Sequence, residues 1–172
     1  MSPNIVFSLV GPHAGQSLEE IFERKIKDCE NLNQTFWVYH SHRCTKSLVN
    51  THKPTEVWFV SASKPGAAKQ TKSSTRAQQF FKDGQWFQFD KDLSPVTGRI
   101  HSKSTAFQLT NLRMVQETIN FNDYVDLITN KPLRFSQFCS TTIGSETQND
   151  STEHRPRIIC AKATLQDVVL IC

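Results

Sequence analysis

The sequence has no apolar run long enough to cross a bilayer: Ile5–Val10 and residues 168–172 are its longest, and a spanning helix needs about 20 residues. It does not open on a charged leader with a cleavable apolar stretch. These absences give the expectation of a soluble, cytoplasmic protein with no membrane partner. Cysteine is sparse: Cys29, Cys44, Cys139, Cys160 and Cys172 are odd in number and irregular in spacing. That argues against a disulfide framework and for a reducing compartment. The common catalytic signatures are missing as well. The chain holds no H-E-x-x-H, no G-x-S-x-G elbow and no paired-carboxylate pattern, so no catalytic residue is assigned and an enzyme is the less favoured class.

What is present is the composition of a folded protein. In 172 residues, 37% are hydrophobic and 21% charged, with twelve Phe and three Trp. That is enough apolar material for one core, so residues 1–172 are expected to form a single compact domain. The net charge of +4 is unevenly placed. Residues 57–115 carry nine Lys/Arg against three acids, while the rest of the chain has a small acidic excess. A surface of that kind suits a polyanion or serves solubility.

The pattern along the chain predicts mostly strands. Ile5–Val10 reads as a buried strand that stops at Gly11-Pro12, because proline cannot donate to a ladder. Ser17-x-x-Glu20 is a capping box, and Leu18, Ile21, Phe22, Ile26 and Cys29 recur at helical spacing, which predicts the main amphipathic helix over about 17–31. Residues 35–44 and 56–62 read as strands, with a short helix over 45–51 between them. "QFFKDGQWFQF" sets Asp83-Gly84 between aromatic runs, a strong hairpin signal. Residues 104–116 read as one long strand or two joined by a bend, and 122–127 is ambiguous between helix and strand. Residues 133–143, 157–165 and 168–172 look extended. The polar stretches at about 63–77 and 144–157 are expected as mobile loops. One helix with about eight strands implies an α+β fold, either a curved mixed sheet or an open β-barrel.

Four features are candidates for function. "GPHAGQS" places Gly11, Gly15, Gln16 and Ser17 between a strand and a helix. Walker A needs one more residue and a lysine where Gln16 stands, so an ATPase loop is not expected. A capped helix entry is the first reading of this corner and a backbone anion site the second. "HSHRC" sets His40, His42 and Cys44 on one face if the strand continues, but the fourth ligand that structural zinc needs has no recognisable spacing; no metal and no cofactor is assigned. Cys139 ends a probable strand, with His154 or His13 as a conceivable base; a buried, inert thiol is the preferred reading. The basic middle is the fourth feature. Lys64, Lys69, Lys72 and Arg76 share an acid-free segment, with Lys82 and Arg99 beyond it, and together they suit phosphates. Trp37 and Trp86 suit base stacking.

The runs "SLVGPHAGQSLEEIFERK", "TFW" at 35–37, "LSPVTG" at 93–98 and "FCST" at 138–141 resemble a set of small uncharacterised microbial proteins. That resemblance implies one compact domain. By architecture alone the chain is also similar to the PUA-like group with EVE and ASCH domains, compact β-barrels with flanking helices that bind RNA or modified bases. The leading expectation is therefore a nucleic-acid or modified-nucleotide binding module, with RNA or DNA as partner. A small enzyme acting on a nucleotide or phosphorylated metabolite is the alternative, and a protein-interaction or inhibitor protein is the third.

Overall fold

The computed structural model describes residues 2–12, 15–61, 77–98, 103–135, 140–147 and 156–172. Along the chain these form β1 (Ile5–Val10), α1 (Leu18–Leu32), β2 (Thr35–Val38), α2 (Lys46–His52), β3 (Glu56–Ser61), β4 (Gln79–Lys82) and β5 (Gln85–Gln88). There follow β6 (Ser104–Asn120), a 3-10 turn (Phe121–Asp123), β7 (Tyr124–Asp126), β8 (Lys131–Pro132), β9 (Thr141–Glu146) and β10 (Pro156–Ile171). The fold is α+β, built on one ten-stranded mixed sheet in the order β2-β6-β10-β3-β1-β9-β7-β8, with β4 on β10 and β5 on β4. β1 and β3 run parallel, and their neighbours pair antiparallel. The sheet is not closed into a barrel, so the mixed sheet is the expected architecture that forms.

β1 reads as a continuous apolar run because both of its faces are covered, as in any central strand. Val6 and Val10 join Phe22 of α1 in the main core, while Ile5 and Phe7 pack with Phe121 and Tyr124 on the other face. A third cluster, Phe36, Phe80, Ala106, Val169 and Ile171, lies between β2, the β4–β5 hairpin and the C-terminal half of β10. The hairpin closes as its sequence demands: Asp83 (φ 51°) and Gly84 (φ 80°) both take the left-handed conformation of a two-residue turn. α1 begins where its capping box places it, with Ser17 Oγ accepting from the Glu20 N–H at 3.1 Å. α2 is capped in the same way by Thr45.

Three expectations change, and one choice is decided. The strand predicted over 35–44 stops at Val38, and the chain turns over residues 41–44, with the Cys44 N–H donating to Ser41 O. Residues 104–120 form one strand, the first of the two readings given for 104–116, with a bulge where Asn111 (φ 52°) is left-handed and Asn111 and Leu112 stand opposite Ala163 of β10. Residues 156–171 are likewise one strand where two were expected. The excursion expected over 144–157 is strand at both its ends, in β9 and β10; residues 148–155 lie outside the described residues. Gly144 is a core residue there: a Cβ added to it would stand 3.0 Å from the Phe7 ring and 3.2 Å from Val125 O.

Candidate functional site

β2 is the end strand of the sheet, and a cavity runs along its open edge. The Tyr39 N–H donates to Thr105 O at 3.2 Å, and Thr35 and Trp37 lie opposite Leu109 and Phe107. In an antiparallel ladder, residues 35, 37 and 39 therefore turn their backbone groups toward β6. The groups of Phe36 and Val38 point the other way, into a cavity of about 440 Å³ that all four β2 residues line. A backbone edge of this kind needs cover. α1 supplies part of it: the Lys25 ammonium donates to the Phe36 carbonyl and sits 5.4 Å from the centre of the Trp37 ring.

One face of α1 forms the wall. Ile21, Arg24, Lys25 and Asp28 follow the three- and four-residue spacing of a single helix face, and all four line the cavity. Phe36, Trp37 and Phe89 add aromatic surface, Gly11 and Gln16 close one end, and His40, Ala77 and Ile171 complete the rim. Phe36 and Phe89 meet edge to face at 4.7 Å. Trp37 is braced from within by Phe22 (5.4 Å, stacked) and Phe59 (4.5 Å). An apolar slot with a few convergent polar groups is the usual build of a small-molecule site.

Two of those polar groups are unsatisfied. Arg24 Nε and Thr35 Oγ1 are buried atoms without a hydrogen-bond partner, and both residues line the cavity. Thr35 is only 1% exposed. Buried polar groups are normally paired, and leaving one unpaired costs about 1–3 kcal/mol. The third such atom is Nε2 of the neighbouring Gln34. Gln34 Oε1 accepts from Gln108 Nε2 (2.6 Å), whose own Oε1 accepts from Lys82 Nζ (3.2 Å).

The structure gathers some of the sequence candidates and separates others. Trp37, Gly11 and Gln16 meet in the cavity. Gly15 and Ser17 do not line it: Gly15 supplies a left-handed turn (φ 74°) and Ser17 caps α1. Lys82 is engaged with Gln108. Trp86 lies on the hairpin, 5.5 Å from Phe81 and with Lys103 Nζ 6.0 Å from its ring centre, away from Trp37. Lys64, Lys69, Lys72, Arg76 and Arg99 fall outside the described residues, as do Cys139, His13 and His154. The alternate display of His40, His42 and Cys44 is not realised, because β2 has already ended. Both histidines are exposed whereas Cys44 is buried in the main core. Among the described residues no cluster of His, Cys, Asp or Glu has the geometry to hold a metal ion.

Arg24, Lys25, Asp28, Thr35, Phe36 and Phe89 were not singled out by sequence. A signal existed for Lys25 and Asp28. Lys25 stands four residues after Ile21 and seven after Leu18, and Asp28 seven after Ile21, inside the arc that an amphipathic helix reserves for apolar residues. Charges there ask for a polar recess beneath the helix.

A second cavity, of about 360 Å³, adjoins the first and shares Gly11, Trp37, Val38 and His40 with it. It lies along the C-terminal ends of β1 and β2, against Ser140 and Thr141 at the start of β9. Ser8 and Thr141 exchange a hydrogen bond there at 3.2 Å, and Ser41 Oγ donates to Thr141 O at 2.6 Å. Behind it, Asp126 is fully engaged: it accepts from the N–H groups of Ile128 and Thr129 and from the Thr142 hydroxyl, with Arg43 at 3.6 Å. That is a structural carboxylate, since every oxygen has its partner.

Among known proteins, the chain matches no protein family, no curated protein and no solved structure. Among the described residues no helix is long and apolar enough to cross a membrane.

Proposed function

We propose that the protein is a nucleic-acid or modified-nucleotide binding module that takes one base into the cavity along β2. The observation that carries this reading is the conjunction, in one 440 Å³ recess, of aromatic walls with the unpaired Arg24 Nε and Thr35 Oγ1. Aromatic faces accept the flat base, and buried polar atoms read its edge. Arg24 and Lys25 supply positive charge for a phosphate beside the Gly11–Gln16 end. The cavity lies within the size range of small-ligand sites, about 300–1,000 Å³. The acid-free basic segment 64–76 joins covalently to Ala77, a lining residue, which supports a polyanionic ligand over a neutral one.

The test is fluorescence anisotropy with short labelled RNA and DNA strands at low and at physiological salt, run beside thermal shifts with mononucleotides. The expected result is binding that weakens steeply with salt, together with a mononucleotide-induced rise in melting temperature. Neither effect at low salt would remove the proposal.

A further inference from the structure

The two adjoining cavities differ in chemistry, and the difference points to how much of a strand they hold. We infer, resting on the reading above, that the ligand spans at least two nucleotide units: a base fills the first cavity and the sugar-phosphate of the adjacent unit occupies the second. The first cavity has the aromatic walls and the cations. The second is bordered by Ser8 and Thr141, whose hydroxyls bond to each other, and by the exposed Ser140. Of its aromatic members, Trp37 is shared with the first cavity, and Tyr39 is already stacked flat on Phe107 at 3.9 Å and 7°, with its hydroxyl donating to Cys44 O. A second base finds no free ring there beyond the Trp37 that the first base uses, whereas the exposed Ser140 hydroxyl can donate to a phosphate or sugar oxygen.

The divide between the cavities fits a phosphodiester link. Gly11, Trp37, Val38 and His40 border both, and nothing lies within 4 Å of where a Cβ on Gly11 would stand. The passage beside the Gly11 backbone is therefore open. His40 is exposed at the same place and can donate to the linking phosphate. The arrangement lies at the carboxyl end of β1, one of the parallel pair β1–β3, where α/β sheets commonly bind their ligands.

Titration calorimetry with adenosine and uridine 5′-monophosphates and the dinucleotides ApA and UpU tests this. A dinucleotide should bind at least about tenfold tighter than its mononucleotide, a gain of about 1.4 kcal/mol. Ser140 is exposed, so Ser140→Trp leaves the core intact while filling the second cavity; it should reduce the dinucleotide to mononucleotide affinity and leave the mononucleotide unchanged. Ser140→Ala, which removes only the hydroxyl, should fall between. Equal affinities for the two ligands, both indifferent to Ser140→Trp, would overturn the two-unit ligand and leave the one-base site standing. Binding of neither ligand would overturn both.

Discussion

At the residue scale the informative positions are those whose chemistry is not satisfied by the protein itself. Thr35→Val keeps the branched shape in β2 and removes a hydroxyl that has no partner. The expected outcome is a free protein more stable by about 1 kcal/mol in urea denaturation, with ligand binding weakened. A hydroxyl with only a structural role would move stability and leave affinity alone. The two glycines of the opening loop separate in the same way. Gly15 holds a left-handed backbone (φ 74°), so Gly15→Val is destabilising by about 1–2 kcal/mol wherever the ligand sits. Gly11 has open space and no left-handed φ, so Gly11→Val should leave the melting temperature unchanged while blocking the site. Burial pushes the Cys160 thiol up to about 11, and it donates to Phe59 O. Because the folded state favours the protonated thiol, its contribution to stability is complete below pH 9 and is lost as pH rises from 9 to about 11. At pH 8 iodoacetamide, followed by mass spectrometry, should label the exposed Cys172 well before Cys160.

At the element scale, legibility followed how local the cause was. The start of α1, the α2 helix and the Asp83-Gly84 hairpin depend on caps and turns within four residues, and each formed where the sequence places it. β2 did not, because "TFWVYHSHRC" has strand composition throughout and only tertiary contact ends the strand. Past Val38 the chain turns, Tyr39 settles on Phe107 and Cys44 enters the core. Gly144 was equally illegible: a glycine at the edge of a polar stretch signals a loop, and only the Phe7 ring against it reveals a packing requirement. Gly144→Ala should cost about 1–3 kcal/mol, because ring and backbone must both give way. Thermal unfolding measures it, and a melting temperature unchanged from wild type would show that Phe7 can move aside freely. The site was legible in part for the same reason. Trp37, Gly11 and Gln16 advertise themselves, whereas Arg24 and Thr35 matter only because α1 crosses the edge of β2.

At the scale of the whole molecule, the question is whether charge and cavity act together. On the proposed reading the cavity would grip one or two units, but its cations, Arg24 and Lys25, are too few to account for a balance of nine basic residues to three acidic over 57–115. If the excess serves a longer strand, the two parts separate experimentally. Reversal of Lys69, Lys72 and Arg76 to Glu should leave mononucleotide binding in the cavity intact, since that ligand ends within the recess. The same variant should weaken binding of a longer single strand and flatten its salt dependence. Each lost phosphate contact lowers the slope of log K against log salt by about 0.7 for a single strand, so three contacts give a change of about 2. A strand of ten nucleotides, titrated from low to physiological salt, measures that slope. An unchanged slope would place the phosphate contacts elsewhere on the surface. A loss of mononucleotide binding as well would mean that the basic segment shapes the cavity and does more than extend it.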